Sequence, residues 1–74
     1  MDKGVWSVVV WRGSVVEHRH YCDSEEEAVR YAEGLVKHVW FNAGLQRRNR
    51  RLWVNMRDGI VVEVTNEGKL GNLL

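Results

Sequence analysis

Four runs of apolar residues along the chain have the character of strands, and one longer stretch between them changes to a helical period. Val5 to Trp11 and Val15 to Cys22 are rich in β-branched and aromatic residues, and Gly13-Ser14 between them suits a two-residue type II′ turn with glycine first. This predicts a hairpin. In Asp23-Ser24-Glu25-Glu26-Glu27, Ser24 and Glu27 stand at capping-box spacing, and acids gather where the positive end of a helix would lie. A helix is therefore expected from this point. At about 100° per residue, Ala28, Ala32, Leu35, Val36, Val39 and Ala43 form one stripe, with Arg30, Glu33 and Lys37 opposite. Gly44 followed by Leu45 matches a glycine C-cap with its hydrophobic contact, which places the helix end near Ala43.

Gln46 to Arg51 reads as a polar, basic connection. Beyond it, Leu52, Val54 and Met56 alternate with Trp53, Asn55 and Arg57, and Ile60, Val62 and Val64 alternate with Val61, Glu63 and Thr65. A two-residue Asp58-Gly59 turn would set Val54 opposite Glu63. A three-residue loop with Gly59 in the left-handed region instead sets Met56, Val54 and Leu52 opposite Ile60, Val62 and Val64, which keeps one face apolar. The second register is the expected one, and it puts Arg51, Trp53, Asn55 and Arg57 on the opposite face with Val61, Glu63 and Thr65. The predicted fold is α+β, in the order β-β-α-β-β: one mainly antiparallel four-stranded sheet with a single helix packed on one face. Residues 1–66 form one domain, and 67–74, with its glycines and asparagine, reads as a flexible C-terminal tail.

The first hairpin has no clean face. A two-residue turn groups Val5, Ser7, Val9 and Trp11 with Val16, His18, His20 and Cys22, and groups Trp6, Val8 and Val10 with Glu17, Arg19 and Tyr21. Whichever side meets the helix, valine and aromatic surface remains on the other. One helix covers one face, so the surplus is expected to meet solvent, a partner or a ligand.

Composition narrows the class. Of 74 residues 45% are hydrophobic and 28% charged, as in a folded globular domain, and 11 Lys+Arg against 10 Asp+Glu leave a formal charge of only +1. The longest apolar run, Val8 to Trp11, is far short of the roughly 20 residues a bilayer span needs. No secretion-signal pattern opens the chain, so the expected compartment is cytoplasmic. Cys22 is the single cysteine and cannot form an internal bridge, which leaves packing, or association with another chain, to supply stability. Thirteen valines against one isoleucine, and eight arginines against three lysines, suggest a GC-rich bacterial or phage genome.

Charge is segregated despite the near-zero total. From Gly34 to Arg57 there are six cations and no acid, whereas Asp23 to Glu33 holds five acids and one arginine. Arg47, Arg48, Arg50 and Arg51 form a basic cluster of the kind that attracts phosphates or acidic protein surfaces. Alternatively, they form a solvated loop at the negative end of the helix. Arg51, Trp53, Asn55 and Arg57, read as one open sheet face, fit single-stranded nucleic acid through stacking and phosphate contacts. The same residue types are enriched at protein interfaces. Trp11, on the unbalanced hairpin, and Phe41, on the polar side of the helix, join this candidate binding set, while Trp40 is expected to pack.

His18, His20 and Cys22 are metal-capable residues on alternate strand positions, but 18 and 22 are about 13 Å apart and cannot share one ion without further ligands. No metal and no cofactor is assigned. No phosphate-binding loop, dinucleotide fingerprint or nucleophile motif occurs, and an enzyme is not expected.

The stretch Asp23 to Ala28, opening a helix after a hairpin, resembles the strand-to-helix transition of many small α+β modules, HicB-like antitoxin domains among them. That likeness is capping chemistry over about a dozen residues and transfers no activity. The expected function is that of a small non-enzymatic protein-interaction module, a bacterial or phage regulatory or host-modulating protein. It would bind a protein partner or itself through its open sheet face and arginine-rich loop. Single-stranded nucleic-acid binding through the Trp/Arg face is the alternative. The low net charge, with acids concentrated at the helix start, favours the first.

Overall fold

The computed structural model describes residues 5–67. The expected tail therefore lies outside the described residues from position 68 onward. Two strands, β1 (Trp6–Arg12) and β2 (Val15–Cys22), precede helix α1 (Glu25–Gly34), which continues into a π-helical turn, Leu35–Val39. Three strands come after it: β3 (Gln46–Asn49), β4 (Leu52–Asn55) and β5 (Ile60–Asn66). All pairings are antiparallel, in the order β2-β1-β5-β4-β3.

The α+β class with one helix on one face of the sheet holds, but the described residues form five strands rather than four. The extra strand is Gln46–Asn49, the segment expected to be a connection. It is an edge strand exposed at every position, so no apolar alternation marks it, and its pairing to β4 rests on the backbone ladder and on Arg47 stacked over Trp53.

The core lies between helix and sheet. Val8 and Val10 from β1 stand beside Val64 and Val62 from β5, and Ala28, Val29 and Ala32 of α1 close over them. Small alanines let the helix backbone approach a valine-lined sheet closely. Ser24 caps the helix as its sequence predicts, its Oγ accepting the Glu27 N–H at 3.1 Å.

Three local expectations are overturned. In the first hairpin, Gly13 is at φ 63° and Ser14 is not in the positive-φ region, since among the described residues glycine alone has positive φ, as a type II′ turn requires. A bulge between Val10 and Trp11, however, sets two β2 residues opposite one. His18, His20 and Cys22 thereby join Val8 and Trp6 on the helix side, while Arg19 and Tyr21 join Ser7 and Val9 on the other. The bulge lets the valines of β1 and Cys22 of β2 serve the same core.

The helix ends at Val39 rather than near Ala43. Trp40 N–H donates to Leu35 O five residues back, at 2.8 Å. A π step turns the next residues backward about the axis relative to an α-helix. Trp40 consequently packs against the core, and Val39, which the stripe placed inside, is 64% exposed.

The third difference is the register of the last hairpin. The loop has four residues, Met56 to Gly59, and the pairs are Asn55 with Ile60, Val54 with Val61, Trp53 with Val62 and Leu52 with Glu63. Gly59 does occupy the left-handed region, at φ 71°. A shift of one residue turns every β4 side chain over. Trp53, expected on the open face, is in the core at 4% exposure, while Met56, expected inside, is 77% exposed. Two causes are visible. The Trp53 indole offers more apolar area for burial than the chains of Leu52 or Val54. In addition, Asn55 Oδ1 accepts the Asp58 N–H at 3.1 Å, and its Nδ2 donates to Asp58 Oδ2 at 3.2 Å and to Ala43 O. That side chain fixes the longer loop.

Candidate interaction surface

The arginine-rich segment divides into residues that hold the fold and residues that face solvent. Arg47, on the helix side of β3, stacks its guanidinium over Trp53 at 4.6 Å and pairs with Glu33 at 3.1 Å. It also donates to the carbonyls of Asn49 at 3.2 Å and Arg50 at 3.0 Å. Arg51 lies over Trp6 at 5.6 Å and 3.7 Å from the Glu25 carboxylate. The basic edge is thus latched to the acidic helix. The segregation of charge along the sequence becomes complementarity between two neighbours in space.

The side chains of Arg48, Arg50 and Arg57 make no hydrogen bond or ion pair among the described residues, so the cationic character open to a partner resides in them. Phe41 is 66% exposed, in the loop that the Asn55 bond to Ala43 ties to β4. Of the residues expected to bind, Arg47, Arg51, Trp53 and Asn55 are engaged inside the fold. Arg48, Arg50, Arg57 and Phe41 are free at its surface, and Trp11 lies on the sheet face away from the helix.

That second face is organised in rows set by the register. Val16, Trp11, Val61 and Val54 are successive cross-strand neighbours, ending at Gln46 on β3. One apolar row therefore crosses four strands and reaches the fifth. The next row reads Arg19, Val9, Glu63 and Leu52, and the third Tyr21, Ser7 and Thr65. The face grades from apolar near the turns to polar at its far end. Trp11 Nε1 donates to Glu63 Oε1 at 3.0 Å, which fixes the indole across the first two rows. Ser7 is fully buried and satisfied by Glu67, to whose Oε2 it donates at 2.8 Å. Among the described residues no helix contacts this face.

Sequence reasoning missed Leu52 and Val54 here because it assigned them to the core, and missed Tyr31 on α1 altogether. His18 Nε2 lies 2.9 Å from the Tyr31 hydroxyl, and His20 stacks on the same ring at 3.9 Å. Cys22 is buried beneath, and the apolar surroundings push its thiol pKa up, with Glu27 and Asp23 adding to the shift. Among the described residues no three His, Cys, Asp or Glu side chains are grouped to hold a metal ion, and no helix is long and apolar enough to cross a membrane. A shallow cleft of 280 Å³ lies between Arg51, Glu63 and Thr65. It is small and open beside the pockets that enclose ligands. No protein-family model matches the chain, and no curated protein and no solved structure matches it.

Proposed function

We propose that this chain is a small non-enzymatic protein-interaction module that docks a protein partner on the sheet face turned away from its helix. The observation carrying this reading is the row Val16, Trp11, Val61 and Val54, continuous across four strands. Val54 of this row is already buried, but Val16 is exposed and Trp11 and Val61 are half-buried, so a partner that covers them gains the remaining transfer free energy. Arg48 and Arg19 stand at the margins, where charge governs orientation and rate of encounter rather than affinity. A bacterial or phage regulatory protein is the setting that suits such a module.

The test is affinity capture with the intact protein from its native host, wild type against Val61→Glu, both verified as folded by circular dichroism. A partner retained by wild type and lost by Val61→Glu supports the reading. A partner held equally by both refutes it. Single-stranded nucleic-acid binding is the second reading, for one observation: the side chains of Arg48, Arg50 and Arg57 have no partner among the described residues. It has lost Trp53 as a stacking platform. Oligonucleotide binding that weakens steeply with salt, and disappears when these three arginines become alanine, would favour it over docking.

A further inference from the structure

Three connections meet at the end of the sheet where the helix finishes. The Gly13 N–H donates to Gly59 O at 2.7 Å, Asn55 Nδ2 donates to Ala43 O, and the Arg12 guanidinium lies 5.6 Å from the Trp40 ring. These contacts draw together the turn after β1, the loop after β4 and the segment that follows the π turn. Of the six exposed large hydrophobic side chains among the described residues, all but Tyr21 stand here: Val15, Val16, Val39, Phe41 and Met56. Phe41 and Met56 are the barest, at 66% and 77% exposure. Charge is one-sided at the same end. Lys37 lies on the π turn, Arg57 follows Met56 in its loop, and Arg48 lines a cleft of 190 Å³ together with Met56. The side chains of these three cations make no hydrogen bond or ion pair among the described residues. Of the nearby acids, Glu17 is 3.8 Å from Arg12 and Glu33 is 3.1 Å from Arg47, which leaves Asp58, bonded by Asn55, as the carboxylate without a cation. Glu25, Glu26 and Glu27 open the helix at its other end.

We infer that this end docks on the surface of an anionic lipid bilayer, with Phe41 and Met56 entering the headgroup boundary and Lys37, Arg48 and Arg57 meeting lipid phosphates. Charge names the occupant's sign, because unpaired cations surround the bare apolar chains and the acidic cluster lies at the opposite end of the helix. Exposure names its kind. Chains as bare as Phe41 and Met56 project singly from separate loops instead of lining a groove. A protein partner would need a pocket matched to each, whereas the boundary between headgroups and acyl chains receives projecting apolar groups at any spacing. The contact is peripheral, so the absence of a membrane-crossing helix among the described residues is no obstacle to it. Neither half suffices alone. A few apolar side chains give marginal, reversible binding, and stable attachment takes a second, basic signal. The inference goes beyond the docking reading, because it uses the end of the sheet and not its face, and it stands even if the face has no partner.

Co-sedimentation of the full chain with vesicles tests it, using phosphatidylcholine alone against equal parts phosphatidylcholine and phosphatidylglycerol. Wild type partitions to the anionic vesicles, releases as salt rises, and stays in solution beside the zwitterionic ones. Phe41→Ser combined with Met56→Ser weakens the partitioning by about tenfold or more, and so does Arg48→Gln combined with Arg57→Gln. Both pairs alter exposed side chains, so circular dichroism of each matches wild type. Val61→Glu, on the open sheet face, binds vesicles as wild type does. A wild type that does not partition to anionic vesicles overturns the inference, and so does equal binding to both compositions. Unchanged binding in either double variant overturns it as well, as does loss in Val61→Glu alone, since the face would then be the contact. A host protein captured by wild type and lost with Phe41 and Met56, in the absence of vesicle binding, would assign this end to a protein instead.

Discussion

Arg47 and Arg48 are neighbours of identical chemistry, and the fold gives them opposite roles that a stability measurement separates. Replacing Arg47 with alanine removes its stacking on Trp53, about 0.5–1 kcal/mol. The pair with Glu33 is 42% and 48% exposed at its two side chains, so after screening it contributes no more than about 0.5 kcal/mol. Two hydrogen bonds to the carbonyls of Asn49 and Arg50 add about 0.5–1 kcal/mol each. Against this, the freed side chain no longer gives up about 1 kcal/mol of rotamer entropy. The net loss is about 1.5 kcal/mol, a sizeable share of the roughly 4–11 kcal/mol expected for a domain of this length. In far-UV circular dichroism this reads as a fall in Tm of roughly 10 °C, with a matching drop in the urea midpoint. Arg48→Ala, with no contact to lose, stays within about 0.5 kcal/mol of wild type. Arg47→Lys falls near the alanine variant, because ammonium cannot reproduce the planar fork. Equal stability of Arg47→Ala and Arg48→Ala would refute the assignment of Arg47 to the scaffold.

Trp53→Ala should destabilise the domain by about 3–5 kcal/mol in urea unfolding, where an exposed strand tryptophan would move it by about 0.5 kcal/mol or less; a surface-like value would invert the register of the last hairpin. Burial raises the Cys22 pKa in the fold above its value in the unfolded chain, so at high pH the unfolded state binds fewer protons. Stability is therefore unaffected by this group below pH about 8.5 and falls above it, and the native thiol reacts slowly with disulfide reagents near neutrality until denaturant exposes it. A fast native reaction near neutral pH would contradict the buried placement.

Local chemistry was legible from residue order alone. The Gly13-Ser14 turn, the Ser24 cap, the left-handed Gly59 and the alternation of Ile60, Val62 and Val64 each depend on neighbours within a few positions, and each stands in the fold. What could not be read is whatever depends on choosing between faces. In the last hairpin either register leaves an apolar row. The choice fell to the volume of one indole against the valine core and to an asparagine that reaches Ala43, 12 positions away. The β2 bulge and the π turn are likewise one-residue adjustments that bring Cys22 and Trp40 to a core whose shape no local pattern specifies. The same limit hid the meaning of the charges. Residue order alone shows an acidic segment and a basic one. Packing then sets Arg47 and Arg51 against Glu33 and Glu25 across the gap between sheet and helix, leaving Arg48, Arg50 and Arg57 outside. The physical reason is range. Turns and caps are settled by bonds within a few residues, whereas a strand's face is settled by what packs against it, and that surface exists only once the chain has closed.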